Sequence, residues 1–321
     1  MVYRKRGGRV LHGGRSKARR RLCCRVKDGD RDETQNSVQA LHSGYGEVLL
    51  FPVPQAVECG VPSLKSWVTV PLSNHNSLPA RINGHLCDMY VDCGTTSAMI
   101  AHRVADKLGL LEKVSFVKSY ELQLWTTKVR HTLKVVENVE VHLAGGVALR
   151  CTFLVLPQNM VSTLPGILLD NATLRQAGAV QEFSDTACTL HFPSRKPKWA
   201  PKKGGDSQYV MDVNFRRTSL RSKKMSVHVD TGATSFYVSP RCLHTQLCLP
   251  RVPRCVTVML AEGVAVTSSF VRVAGTDTFD FVLGKEMLSR YRCVLDFASS
   301  YLYFHVKERV FRLKLRKSRT V

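Results

Sequence analysis

The sequence predicts a mainly β fold built from two β-rich units that follow one another along the chain. Two observations carry this prediction. Short runs rich in β-branched residues alternate with turn signals such as Asn83-Gly84 and Gly145-Gly146, as expected for strands joined by tight turns. A motif around an Asp also recurs in both halves, which indicates a duplicated structural unit. The 321 residues provide enough chain for two domains of about 100–150 residues each.

The predicted strands fall into two groups. In the first unit, residues 46–192, we expect strands at 47–53, 67–72, 89–91, 133–143 and 151–156. In the second unit, residues 210–306, we expect strands at 227–229, 236–238, 256–260, 264–273 and 301–306. Helical periodicity is confined to residues 101–111 and 285–291, so one short helix is expected in each unit.

The net charge of +22 is concentrated outside these units. Segments 1–27, 193–226 and 307–321 hold 28 Lys and Arg against three Asp and Glu, whereas the rest of the chain holds 19 against 22. We therefore expect a disordered basic tail at 1–45, a basic linker at 193–209 and a basic tail at 307–321. Such charge gives salt-dependent affinity for phosphates, so nucleic acid is expected as a further partner.

Hydropathy and cysteine usage exclude several classes of protein. The apolar runs fall well short of the ~20 residues that a membrane span requires, and no apolar segment of a secretory signal follows the basic N-terminus. We expect a soluble intracellular protein of the cytoplasm or nucleus, with import into an organelle as an alternative. The eleven cysteines include no CxxC pair, so free thiols are expected. Cys242, His244 and Cys248 lack a fourth metal ligand, and neither a metal nor a cofactor is expected.

An Asp-x-Gly-small-Thr-Ser motif follows an apolar strand in each unit, as MYVDCGTTS at 89–97 and VHVDTGATS at 227–235. FVLGKEML follows at 281–288, and PGILLD at 165–170 is its weaker counterpart in the first unit. The Gly of the motif allows backbone to approach the carboxylate, so that an amide can donate to it.

Two carboxylates a few ångströms apart cannot both ionise. One then acts as a base on a bound water and the other as an acid on a carbonyl. The duplication therefore predicts a dyad of Asp92 and Asp230. The alternative is that each Asp only caps backbone amides at an ordinary strand-end turn.

These residues give the chain a resemblance to the retropepsin-like aspartic proteases of retroviruses, retrotransposons and their cellular relatives. Val229-Asp230-Thr231-Gly232-Ala233-Thr234 matches the catalytic loop of that family, and Val282-Leu283-Gly284 matches the hydrophobic segment that supports it. In the first unit, Val91-Asp92-Cys93-Gly94-Thr95 matches the same loop. The resemblance covers residues 67–192 and 210–306, and it implies two closed β-barrels with one short helix each, packed as a pseudo-dimer.

The resemblance also implies roles for individual residues. Asp92 and Asp230 would be catalytic, and the loops would be supported by Cys93, Gly94, Thr95, Thr231, Gly232, Ala233 and Gly284. Each unit would contribute a β-hairpin flap that excludes water and holds an extended peptide. The flap candidates are residues 256–267, with Glu262 and Gly263 at the turn, and residues 122–131, with Trp125 near the tip.

Three positions depart from the family's pattern. Cys93 stands where the family has Thr or Ser, and because a thiol is a poor hydrogen-bond donor, we expect a lopsided brace between the loops. Leu169 or a shifted Gly166 stands where the family has its supporting Gly. His228 is unusual in the strand that enters the loop. These departures favour weakened catalysis.

The leading interpretation is an aspartic-type endopeptidase that hydrolyses a peptide or protein substrate with water as the nucleophile. Asp92 and Asp230 would pair within one chain, or Asp230 would pair with its counterpart in a homodimer of the second unit. In a third arrangement the units associate without catalysis. The alternative function is then a catalytically inactive retropepsin-like interaction or dimerisation module, whose basic tails bind nucleic acid.

Overall fold

The fold was analysed in a computed structural model of the chain. The described residues are 47–50, 57–74, 76–123, 128–160, 166–194, 207–216, 222–246, 255–261, 264–268, 271–274 and 279–319. All of them belong to one compact part of the chain, 43–321. The predicted tail at 1–45, most of the predicted linker, and the flap residues Trp125, Glu262 and Gly263 lie outside the described residues.

The N-terminal half of the described chain is mainly β and contains two short helices. Its elements are β1 (Glu47–Leu50), β2 (Val57–Glu58), β3 (Trp67–Leu72), β4 (Ser77–Ile82), β5 (His85–Asp92), β6 (Ala98–Ala101), α1 (His102–Lys107), β7 (Phe116–Gln123), β8 (Lys128–Leu143), β9 (Ala148–Leu156), β10 (Ile167–Asp170), α2 (Asn171–Gln176), β11 (Val180–Phe183) and β12 (Cys188–Pro193). The hairpin of β4 and β5 turns at Asn83 (φ 48°) and Gly84 (φ 81°), as the Asn-Gly pair predicts.

Six strands of the first unit form a closed ring of hydrogen-bonded neighbours. The order is β4-β5-β10-β6-β9-β8, and β8 pairs with β4 to complete the ring, while β7 pairs with β8 outside it. Alternate side chains point into the ring, so Leu78, Ile82, Met89, Val91 and Phe153 are all fully buried. The ring fixes the end of β5, where Asp92 lies.

The second unit repeats the central three strands of this arrangement around its own Asp motif. Its elements are β13 (Ser207–Arg216), β14 (Ser222–Val229), β15 (Phe236–Val238), β16 (Cys255–Ala261), β17 (Val264–Ser268), β18 (Val271–Val273), β19 (Phe281–Leu283), α3 (Lys285–Arg290), β20 (Val294–Asp296), β21 (Tyr301–Val306), β22 (Arg309–Lys314) and β23 (Arg316–Arg319). β19 runs parallel to β14 and antiparallel to β15. In the first unit, β10 has the same relation to β5 and β6.

The two units share one seven-stranded sheet in the order β2-β22-β21-β20-β11-β12-β3. At its centre, β11 of the first unit pairs antiparallel with β20 of the second, and Gln181 lies opposite Leu295. This pairing relates the units by an approximate two-fold axis. The sheet therefore sets the position of one Asp motif relative to the other.

The mainly β class is confirmed, but several finer predictions differ from the structure. The described strands of the second unit form an open six-stranded sheet and a separate three-stranded sheet that includes β1, so a second closed barrel is not confirmed. The first unit has two helices instead of one, because α2 was not predicted. The predicted basic tail from residue 307 instead forms β22 and β23. Within the described residues, no helix is both long and apolar enough to cross a membrane.

Candidate active site

The first loop of the candidate site connects β5 to β6. The Gly94 N–H donates to Asp92 Oδ1 over 2.8 Å and orients the half-buried carboxyl group. The Thr95 N–H donates to the Asp92 carbonyl over 3.3 Å, and Thr95 Oγ1 donates to the Ser97 carbonyl over 3.1 Å. These short-range bonds explain why a Gly and a hydroxyl residue follow the Asp.

The second loop connects β14 to β15 and has the same plan. The N–H groups of Gly232 and Ala233 both donate to Asp230 Oδ1, over 2.8 and 3.2 Å. The Asp230 N–H donates to the Leu283 carbonyl of β19 over 3.1 Å. The Asp230 side chain is therefore fixed by its own loop and by the neighbouring strand.

The two carboxyl groups face each other across the two-fold axis, and each lies against the glycine of the opposite loop. A Cβ placed on Gly94 would lie 2.5 Å from Asp230 Cγ, and a Cβ on Gly232 would lie 2.6 Å from Asp92 Cγ. The side chains of Asp92 and Asp230 lie close enough for each to affect the pKa of the other. Only glycine allows this approach, because any side chain would occupy the space of the opposite carboxyl group.

Cys93 and Thr231 connect the loops by four reciprocal hydrogen bonds. The Cys93 N–H donates to Thr231 Oγ1 over 2.9 Å, and Thr231 Oγ1 donates to the Val91 carbonyl over 3.4 Å. In the mirrored pair, the Thr231 N–H donates to Cys93 Sγ over 3.2 Å, and Sγ donates to the Val229 carbonyl over 3.3 Å. The expectation of a lopsided brace is therefore wrong in its geometry, since the thiol makes both bonds that the hydroxyl makes.

The electrostatics of the pair favour a single shared proton. Burial raises the pKa of both carboxyl groups above the ordinary 3.8. The pKa of Asp92 is raised further by the charge of Asp230 and by the hydrogen bond between the two side chains. The N–H of Gly232, this same side-chain bond and the N–H of Ala233 lower the pKa of Asp230. The pKa of Asp92 is therefore raised more than that of Asp230.

The supporting segments of the two loops differ. A Cβ on Gly284 would lie 2.2 Å from the Ser235 carbonyl oxygen, so this position requires glycine. Leu283 pairs with Val229, and Leu169 pairs with Val91 in the same register. The counterpart of Gly284 is therefore Asp170, not Leu169 or Gly166 as predicted.

The Asp170 side chain fits at this position because the first loop lies further from its supporting segment than the second loop does. The Asn171 N–H reaches the Thr95 carbonyl over 3.4 Å, whereas the Lys285 N–H reaches the Ala233 carbonyl over 2.7 Å. Asp170 Oδ1 accepts the Thr173 N–H over 3.1 Å and caps α2. The buried carboxyl group therefore has a structural role at the start of this helix.

Hairpins occur at both predicted flap positions, although their tips lie outside the described residues. β7 pairs with β8 from Phe116 to Gln123, and β16 pairs with β17 with a register shift after Met259. β1 pairs in parallel with β16 on the edge opposite β17. Among the described residues, no group of three or more His, Cys, Asp or Glu side chains is placed to hold a metal ion.

Two buried polar side chains, Asn76 and Gln181, were not predicted from the sequence. Asn76 donates to backbone carbonyls next to both Asp residues, and Gln181 donates to Asn76. The only local signal is the polar turn before β4. A polar turn does not reveal such contacts, because the second loop is 155 residues away from Asn76 in the sequence.

His228 enters the second loop as a buried, stacked imidazole. It is 3% exposed and lies parallel to the Phe279 ring at a centroid distance of 4.2 Å. Burial lowers the pKa of His228 to about 3, against an ordinary 6.5. The side chain is therefore neutral at physiological pH and packs as an aromatic group.

The substitution His228→Gln is expected to make folding stability less sensitive to acid. The unfolded chain takes up a proton on His228 near pH 6.5, whereas the folded protein does so only near pH 3. The stability associated with neutral His228 is thus present above pH 6.5 and is lost as the pH falls toward 3, by about 1.4 kcal/mol per pH unit. Urea unfolding at several pH values measures this slope, with exposed His85→Gln as the control. Equal slopes in wild type and His228→Gln would contradict the assignment.

The description of the fold does not depend on similarity to known proteins. No family model matches the chain, and no curated protein does. Among solved structures, the retroviral protease-like domain of Ddi1 from Leishmania major is similar to this chain, at 17% sequence identity and a TM-score of 0.25. The similar part covers 33% of this chain and 78% of that one. The functional assignment rests on the geometry of the loops.

Proposed function

We propose that the protein is an aspartic-type endopeptidase whose dyad, Asp92 and Asp230, lies within one chain. The observation that supports the proposal is the reciprocal approach of the two loops, in which each carboxyl group lies against the glycine of the other. A pair of ordinary strand-end turns would not bring two carboxyl groups into direct contact in a buried site. The cost of burying them is offset when the pair shares one proton.

In the proposed reaction, Asp230 is the base and Asp92 is the acid. A water held between the carboxyl groups loses a proton to Asp230 as its oxygen attacks the peptide carbonyl carbon, and Asp92 donates its proton to the carbonyl oxygen. The tetrahedral diol then collapses: the C–N bond breaks, the leaving nitrogen takes up the proton held by Asp230, and one diol hydroxyl returns its proton to Asp92. The hairpins β7–β8 and β16–β17 would cover an extended peptide and hold it by main-chain bonds.

The test is cleavage of a diverse peptide library, read by mass spectrometry from acidic to neutral pH. Wild type is expected to cleave with a bell-shaped pH profile whose limbs both lie above pH 3.8, because burial raises the pKa of Asp230 and Asp92 above this value. Asp92→Asn and Asp230→Asn are each expected to abolish cleavage. The control is Asp88→Asn, which makes the same change on the exposed face of β5.

The outcomes separate the three arrangements. Loss of cleavage in both variants supports an intrachain dyad. Loss in Asp230→Asn alone supports a homodimer of the second unit. If wild type cleaves nothing at any pH while remaining folded, the peptidase proposal is wrong, and an inactive interaction module takes its place. Asp230→Asn should be at least as stable as wild type at neutral pH, because it removes the buried charge of the pair.

A further inference from the structure

Asn76 occupies a buried turn directly before β4. It is 3% exposed and has a left-handed backbone, with φ at 63°. Its N–H donates to the Ser73 carbonyl, and its own carbonyl accepts the Val91 N–H, both over 2.9 Å. The backbone of Asn76 is therefore joined to the strand that leads to Asp92.

The amide side chain of Asn76 extends this connection to the second loop. Asn76 Nδ2 donates to the Val91 carbonyl and, over 3.2 Å, to the Thr231 carbonyl. Val91 directly precedes Asp92, and Thr231 directly follows Asp230. One NH₂ group thus spans the two chain segments that carry the carboxyl groups.

Hydrogen bonds to its oxygen atom fix the orientation of this amide. Gln181 Nε2 donates to Asn76 Oδ1 over 3.0 Å, and Cys188 Sγ lies 3.7 Å from the same oxygen as a weak donor. Because Oδ1 accepts these bonds, Nδ2 must point toward the loops. Gln181 is fully buried at the centre of the shared sheet, so its side chain has little freedom to move away.

This contact exists on one side of the two-fold axis only. Ser77 pairs with Tyr90, and Val210 pairs with His228, so the counterpart of Asn76 is Tyr209. The Tyr209 hydroxyl donates instead to the Phe297 carbonyl over 2.7 Å. The counterpart of Gln181, directly opposite it in the sheet, is the apolar Leu295.

We propose that Asn76 is a positioning residue that holds the Asp92 and Asp230 loops at the separation the dyad requires, with Gln181 orienting its amide. The expected effect on kcat rests on the proposed peptidase function. The expected effect on the two loops does not depend on that function. Without the amide, the loops keep the Cys93–Thr231 brace but lose the bond that joins both Asp-bearing segments to the body of the first unit.

The test compares Asn76→Gly with Asn83→Gly. Glycine keeps the left-handed backbone that each Asn adopts and removes only the side chain. Asn83 is a matched control, because its Nδ2 also donates to a backbone carbonyl, that of Leu108, over 2.7 Å and away from the loops. Asn76→Gly is expected to lower kcat about tenfold or more with KM changed less than about twofold, and to narrow the pH profile. Asn83→Gly should leave kcat and the profile unchanged.

Hydrogen exchange provides a second readout that needs no activity. Asn76→Gly is expected to speed exchange in peptides covering residues 89–97 and 227–235 together, whereas Asn83→Gly should act near residues 105–113 only. Gln181→Leu is expected to speed exchange in the same two segments, but by less. In the double variant Asn76→Gly/Gln181→Leu, the second substitution should add little to the effect of Asn76→Gly alone.

Two results would overturn the positioning role. One is faster exchange in the turn at residues 73–77 alone, or uniformly along the chain. The other is unchanged kcat and pH limbs in an active wild type. If wild type has no peptidase activity, the peptidase proposal fails, and the exchange pattern still decides whether Asn76 holds the two loops.

Discussion

Replacing Gly232 with alanine is expected to abolish cleavage and to cost about 3 kcal/mol of folding stability. The new Cβ would lie 2.6 Å from Asp92 Cγ and 2.7–2.8 Å from its two carboxyl oxygens. Such an overlap is relieved only by moving the carboxyl group or the loop, and overpacking of this kind costs about 1–3 kcal/mol or more. Moving Asp92 also breaks its bond to the Gly94 N–H. We therefore expect stability and the dyad to be lost together.

A double variant separates this clash from a general effect of alanine in a turn. Asp92→Ala removes the atoms that the new Cβ meets, so Asp92→Ala/Gly232→Ala should recover most of the lost stability, although no activity. Gly60→Ala is the matched control, because a Cβ there meets nothing within 4 Å. Urea unfolding of wild type, the two single variants and the double variant measures the coupling free energy between positions 92 and 232. A strictly additive result would show that the two loops do not approach as described.

Thr231→Val is expected to have the second-largest effect and to differ sharply from Cys93→Thr. Valine matches threonine in shape but leaves the buried Cys93 N–H without its acceptor and the Val91 carbonyl without the hydroxyl. Leaving a buried donor unpaired costs about 1–3 kcal/mol. Cys93→Thr instead supplies a hydroxyl that can accept from the Thr231 N–H and donate to the Val229 carbonyl, as the thiol does. It should therefore keep wild-type stability to within about 1 kcal/mol.

Unfolding free energies and cleavage rates of both variants test this comparison. We expect Thr231→Val to lose at least tenfold in cleavage rate and Cys93→Thr to retain or exceed the wild-type rate. A large loss of stability in Cys93→Thr would show that the brace depends on the larger sulfur atom. An unaffected Thr231→Val would show that the hydroxyl bonds contribute little.

Several short strands rich in β-branched and aromatic residues could be predicted from the sequence. The predicted ranges 67–72, 236–238 and 301–306 coincide with β3, β15 and β21. Basic residues concealed the strand at the end of the chain. In β22 and just after it, Phe311, Leu313 and Leu315 are 5%, 3% and 2% exposed. This alternation with Arg and Lys is typical of a strand with one solvated face, although the net charge suggested a tail.

The short helix α2 was missed for a different reason. Three of its four buried residues are the polar Asn171, Thr173 and Arg175, so its buried face does not appear in the sequence as an apolar periodicity. A local signal was nevertheless present, because Asp170 caps the helix by accepting the Thr173 N–H. The same Asp concealed the register of the supporting segment, since the family pattern has Gly at that position.

The central pair of the candidate site could be predicted because it is repeated in the sequence. Asp92 and Asp230 stand in two copies of one motif, and duplication implied that they are related by symmetry. The contacts that differ between the copies could not be predicted in this way. The two bonds of the Cys93 thiol and the bridging amide of Asn76 depend on atoms brought together from more than 130 residues apart in the sequence.

The shared sheet has a consequence for synthesis of the chain. β11 ends at Phe183, and its partner β20 begins only at Val294. At about 5–20 residues per second, the ribosome needs roughly 5 to 20 s to make the intervening segment. During this delay one edge of β11 has no partner strand, and an unpaired edge invites pairing between nascent chains. The strand made first differs from its counterpart mainly at Gln181, which stands where β20 has Leu295. Translation thus leaves the more polar of the two strands unpaired until its partner has been made.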